Sequence, residues 1–110
     1  MKTISLIGST GSIGRQVCSV VRRHADKFKI KSIVANASVE VFLAQVKEFM
    51  PEYAALADEE AGKNIQDLIP SGVKFGYGAK AAEEAVEYGE VAFVAATGFA
   101  GLRYSLKALE

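Results

Sequence analysis

The chain has 110 residues, half of them hydrophobic and 24% charged, a size and composition that suit one globular domain. Its 13 basic and 13 acidic residues cancel, so no global field draws it to nucleic acid or to an anionic membrane; backbone amides can still build a local anion site. A single cysteine, Cys18, excludes an internal disulfide, and a single histidine, His24, gives with it no zinc spacing; no apolar segment has the length of a signal peptide or a membrane span, which makes a reducing cytoplasm the default compartment.

Short apolar runs alternate with helical periodicity along the chain. "KTISLIG" reads as a first strand, followed from about Ser12 by a helix with Ile13, Val17, Val20 and Val21 on one face. "KIKSIVA" is a second strand. The helix "SVEVFLAQVKEFM" aligns Val39, Phe42, Leu43, Val46 and Phe49 or Met50, and Pro51 stops it. "EYAALAD" is a third strand. Asp58 is an N-cap candidate for a helix carrying Ala61, Ile65, Leu68 and Ile69, ended by Pro70. "VKFGY" is a weaker strand because Gly76 interrupts it. An alanine-rich helix follows from about Ala79 to Tyr88, then the apolar strand "EVAFVAAT". A last helix, "GLRYSLKAL", aligns Leu102, Leu106 and Leu109.

Strands alternating with helices imply parallel strands joined by right-handed crossovers. The expected fold is α/β, a Rossmann-like doubly wound parallel sheet in one domain, with strand order 3-2-1-4-5.

Between the first strand and its helix lies "LIGSTGSIGRQ", with Gly8, Gly11 and Gly14 spaced G-x-x-G-x-x-G. Glycine there permits unusual dihedrals and removes side chains from a phosphate's path. The helix behind directs free N–H groups and its positive dipole end at the anion. Gly14 lets helix and strand approach, and Ser9, Thr10 and Ser12 add hydroxyl donors. The same spacing also fits a tight turn without a ligand, but its position after the first strand, opening a helix, favours a pyrophosphate site.

The end of the second strand reads "VANASVE", with no acid before Glu40. An Asp or Glu at this place holds the ribose 2′-OH in NAD-binding domains; its lack leans toward NADP. Asn36 and Ser38 can donate hydrogen bonds there, and Ser38 doubles as an N-cap candidate. After the fifth strand, "AATGFAGLR" places Gly98 and Gly101 at the carboxyl edge, where the nicotinamide half of a dinucleotide would lie; a packing turn is the equal alternative. Cys18 reads as a small buried hydrophobe, His24 as a helix-end residue, and residues 58–60 ("DEE") as dipole-compensating carboxylates rather than metal ligands. Arg22, Arg23 and Lys27 read as a solvated basic face.

"ISLIGSTGSIGRQVCSVVRRHADKFKIKSIVAN", "SVEVFLAQVKEFMPEYAALADE" and "ATGFAGLR" closely resemble the N-terminal domain of the 1-deoxy-D-xylulose 5-phosphate reductoisomerase family, over essentially all 110 residues. The resemblance implies NADPH bound through Thr10, Gly11, Ser12 and Ile13 and through Asn36, Ala37 and Ser38. In the family that second segment commonly carries an Arg or Lys, where this chain has Ala37. "GLRYSL" replaces the Pro-Thr that commonly follows the family's Gly-Leu-Arg. The resemblance further implies that residues 1–110 are the NADPH-binding N-terminal part of a longer oxidoreductase of non-mevalonate isoprenoid biosynthesis. Its sugar-phosphate substrate and divalent metal (Mg or Mn) would bind a later domain, so no catalytic residue and no metal ligand is assigned here, and the fragment alone is expected to be inactive. A homodimer is left open. Two other readings stand beside it: a stand-alone NAD(P)-binding sensor, and the N-terminal domain of a semialdehyde or acyl-phosphate dehydrogenase. "GFAGLR" favours the reductoisomerase.

Overall fold

The computed structural model describes residues 1–95. The elements run β1 (Lys2–Ile7), α1 (Ser12–Arg23), β2 (Phe28–Ala35), α2 (Val39–Phe49), β3 (Tyr53–Leu56), α3 (Glu59–Ile65), a 3₁₀ turn (Gln66–Leu68), β4 (Lys74–Tyr77), α4 (Ala79–Val86) and β5 (Val91–Val94). The expected final helix, residues 101–109, lies outside the described residues.

All strand pairs are parallel, in one five-stranded sheet of order β4-β3-β2-β1-β5. The Rossmann-like doubly wound class is therefore right, but the expected order 3-2-1-4-5 is not. "VKFGY" does not pair beside β1; it extends the outer edge, next to β3. The reason lies in contacts between residues far apart in the chain. A Cβ at Gly76 would collide with the Tyr53 hydroxyl, so this glycine in β4 is the socket for a tyrosine of β3. The place beside β1 falls to β5, where the Gly89 N–H donates to Ser5 Oγ at 2.7 Å. Glu90 and Thr3 then bond reciprocally, the Glu90 N–H to Thr3 Oγ1 at 3.0 Å and the Thr3 N–H to Glu90 Oε1 at 3.2 Å. The Thr3 N–H and the Thr3 hydroxyl, both donating to Glu90 Oε1, hold the Glu90 carboxyl below the usual carboxylate range.

Two apolar layers sandwich the sheet. On one side Ile4, Leu6, Ile30, Ile33, Phe42 and Val46 form the larger core, with Cys18 and Val21 of α1. On the other, Ile7, Val34, Tyr53 and Ala55 meet Ala82, Ala85 and Val86 of α4. Two buried serines on that side, Ser5 and Ser32, both donate to the Ala85 carbonyl, at 3.2 and 2.5 Å. They add to the Tyr88 N–H, which reaches the same carbonyl at 3.3 Å, and tie the last turn of α4 to β1 and β2.

Several helix details differ from the periodicity. Ile13 and Val20 of α1 are exposed, while Cys18 and Val21 carry its burial. The helix after Asp58 stops at Ile65, and Leu68 on the 3₁₀ turn is exposed. Met50 adopts the left-handed conformation (φ 44°) that ends α2 before Pro51. Arg22 is not part of a merely solvated face: its Nε and Nη2 pair with Glu48 of α2, the latter at 2.7 Å, and it lies over the Phe49 ring.

Burial pushes the Cys18 thiol up from 9.0 to about 11. Between those values the unfolded chain loses the thiol proton and the folded chain keeps it, so stability falls as pH rises through this window. Replacing Cys18 with alanine should flatten that alkaline slope, by on the order of 2 kcal/mol between its ends. Urea denaturation of both proteins at pH 9 and 11 measures it; parallel slopes would show that Cys18 titrates as it does unfolded.

Candidate functional site

The carboxyl ends of β1 and β2 face the N-termini of α1 and α2. The chain leaves β1 at Gly8, whose φ of 81° is open to glycine and strained for other residues. The Gly8 and Ser9 N–H groups both donate to Val34 O, at 2.8 and 3.1 Å, fastening the turn to β2. The Gly11 N–H returns to Gly8 O at 3.3 Å, and Arg15 N–H closes the first helical bond to Gly11 O at 2.9 Å. The N–H groups of Ser12, Ile13 and Gly14 belong to the first turn of α1 and have no acceptor within the helix.

The three glycines do three different things. Gly8 supplies the backbone conformation. Gly11, at φ −76° and ψ 175°, is conformationally ordinary and exposed; a Cβ there would meet only Gly8 O, at 3.7 Å. Gly14 is buried, and a Cβ on it would lie 2.7 Å from Ser9 C and Cα and closer still to Gly8 O. Gly11 thus keeps an approach open from outside, and Gly14 lets α1 seat on the turn.

No side chain caps α1 at Gly11. Nor does the Ser38 hydroxyl cap α2, although Ser38 occupies the N-cap. In contrast, Asp58 caps α3 by accepting the Ala61 N–H at 3.0 Å. The N-terminus of α1 therefore has neither a side-chain cap nor an acid in its first turn, while that of α2 lacks a side-chain cap but carries Glu40 in its first turn. Asn36, Ala37 and Ser38 are all exposed beside them.

Thr10, Gly11, Ser12 and Ile13 run from the turn after β1 into the first residues of α1. Ser9 does not offer the hydroxyl expected of it: it is fully buried, and its Oγ has no partner among the described residues. Gly98 and Gly101 lie outside the described residues. Residues 58–60 form the first turn of α3, and among the described residues no three His, Cys, Asp or Glu could hold a metal ion. No helix of the described residues is long and apolar enough to cross a membrane.

Sequence reasoning missed two groups that shape the turn. The Arg15 Nε donates to Thr10 O at 3.2 Å. Gln45, buried on α2, donates from Nε2 to Ser9 O at 2.7 Å. A lone glutamine between Phe42 and Val46, on the face that α2 buries, was the available signal for the second.

The family model of 1-deoxy-D-xylulose 5-phosphate reductoisomerase matches residues 4–110. The chain belongs to this family. The reductoisomerase of Bacteroides fragilis is 35% identical over 98% of this chain, and that of Ruthia magnifica subsp. Calyptogena magnifica is 34% identical over all of it. The chain spans about 29% of the length of these relatives. Among solved structures, the reductoisomerase of Zymomonas mobilis, in complex with NADPH, superposes with a TM-score of 0.90 at 28% identity, covering 98% of this chain and 29% of that one. Reductoisomerase structures at 23% identity share the fold, with a TM-score of 0.85 for one solved with magnesium.

Proposed function

We propose that this chain is the NADPH-binding N-terminal part of a reductoisomerase that converts 1-deoxy-D-xylulose 5-phosphate to 2-C-methyl-D-erythritol 4-phosphate in non-mevalonate isoprenoid biosynthesis. The observation that carries the reading is the pair of helix N-termini without side-chain caps, α1 behind an open Gly11 and α2 behind an acid-free strand end. Support comes from the Zymomonas relative, solved with NADPH on the same fold. A cytoplasmic location follows from the same reading. The sugar-phosphate and metal sites then belong to parts of the enzyme outside these 110 residues, and this part alone does not turn over.

The residues present fit the cofactor. Gly8 turns the chain and Gly11 leaves the approach free; on this reading the N–H groups of Thr10, Ser12, Ile13 and Gly14 would receive a pyrophosphate. Asn36, Ala37 and Ser38 lie where an adenosine ribose and its 2′-phosphate would rest. The end of β2 offers them hydroxyl, amide and helix N–H donors and no carboxylate before Glu40. Bound NADPH would supply the hydride; this chain binds and orients it. On this reading Gly98 lines the nicotinamide half.

Calorimetry with NADPH and NADH tests the reading. NADPH should bind more tightly, because no acid at the end of β2 stands where its 2′-phosphate would rest. Equal or tighter NADH binding would remove the NADP assignment. Ala37→Arg refines the test by returning the cation common in the family. Residue 37 is exposed, so the gain should be about 1 kcal/mol for NADPH, near zero for NADH, and smaller in high salt. An equal gain for both cofactors would place the arginine on the pyrophosphate instead.

A further inference from the structure

Gln45 is 7% exposed, on the face of α2 that also buries Phe42 and Val46. An amide in that setting is costly unless it is bonded. Its Nε2 donates to Ser9 O at 2.7 Å, but its Oε1 is buried with no partner among the described residues. An apolar side chain would suit the packing at least as well. The polar residue is explained by what it holds. Ser9 sits in the middle of the glycine-rich turn, and its peptide to Thr10 is planar and trans. The carbonyl and the following N–H therefore point in opposite directions. Drawing Ser9 O inward to Gln45 aims the Thr10 N–H out of the core.

We propose that Gln45 is a positioning residue of the cofactor site. Its amide locks the Ser9–Thr10 peptide so that the Thr10 N–H faces the pyrophosphate of the dinucleotide. The same bond ties the turn to α2, whose N-terminus carries Ser38. The two ends of the site, pyrophosphate and ribose, are thus held in register through one buried side chain. The inference rests on the dinucleotide reading above, and the wild-type protein is the control that separates the two.

The test is NADP⁺ binding, which tolerates acid conditions, measured by calorimetry on the 110-residue chain. If wild type does not bind NADP⁺, the dinucleotide reading fails, and this inference falls with it. Given wild-type binding, Gln45→Met should weaken NADP⁺ roughly tenfold, the worth of one well-placed hydrogen bond, while the melting temperature stays within a few degrees. Equal affinity in wild type and variant overturns the proposal, as does a loss of affinity matched by a loss of folded protein.

Gln45→Glu supplies the second arm and decides the matter where methionine fails to fold. A protonated carboxyl can donate to Ser9 O, and a carboxylate cannot. Relative to the wild-type profile, the glutamate variant should bind NADP⁺ nearly normally at about pH 5.5 and lose at least roughly tenfold by about pH 8.5, with circular dichroism fixing the folded fraction at each pH. A glutamate variant that tracks wild type across this range overturns the proposal.

Discussion

Replacing Gly14 with alanine should unfold the domain or lower its melting midpoint by about 20 °C. The added Cβ would lie 2.7 Å from Ser9 C and Cα and closer to Gly8 O. These are backbone atoms with no rotamer to turn aside. The turn carrying them is fastened to Val34 O by two N–H groups, so it does not retreat cheaply. Either α1 lifts from the sheet, exposing Cys18 and Val21, or the turn opens. Both routes cost about 4 kcal/mol or more, a large share of the roughly 5–15 kcal/mol that stabilises a typical domain. Thermal melting by circular dichroism measures it. A variant that melts with wild type would mean α1 does not approach the turn this closely.

Gly11→Val should do the reverse, keeping the fold and abolishing cofactor binding. Valine suits the extended backbone at this position, and its Cβ meets nothing nearer than Gly8 O at 3.7 Å. Its methyl groups would stand in front of the first turn of α1, where the pyrophosphate is to be received. Losing two charge-assisted hydrogen bonds at about 1.5–3 kcal/mol each predicts at least ~100-fold weaker NADPH binding. The melting temperature should change little, since surface substitutions without strain stay within about 0.5 kcal/mol. A folded variant that binds NADPH normally would remove the pyrophosphate from this turn. The two substitutions lie three residues apart in one motif, and their effects diverge because the added side chains fill opposite sides of the turn.

That difference was partly legible in the sequence. The spacing of Gly8, Gly11 and Gly14 after an apolar strand identified the turn, and the role of Gly14 in close packing followed from its place on α1. The alternation of elements gave the sheet and its parallel sense, because each short apolar run is followed by a helical period. Strand order was not legible. It depends on the Tyr53 hydroxyl filling the space at Gly76, and on Gly89 and Glu90 bonding back to Ser5 and Thr3, contacts between residues distant in the chain. Periodicity also overstated α1, where Ile13 and Val20 share the apolar stripe and yet remain exposed. Ser9 was misread for a related reason. A hydroxyl in a glycine-rich turn looks like a ligand donor, and only the backbone path shows that this one turns inward. Gln45 escaped notice because hydrophobic patterning discards the polar residue on a buried face, which here touches the site.

The central claim is that the first turn of α1 and the start of α2 receive the two phosphate-bearing parts of one dinucleotide. Titrating ¹⁵N-labelled protein with NADPH, and following every backbone amide by NMR, tests it most directly. The largest shifts should fall on Thr10, Gly11, Ser12 and Ile13, with a second group at Asn36, Ala37 and Ser38 that responds to NADPH and much less to NADH. Shifts centred elsewhere on the sheet, or the same response to both cofactors at residues 36–38, would contradict it.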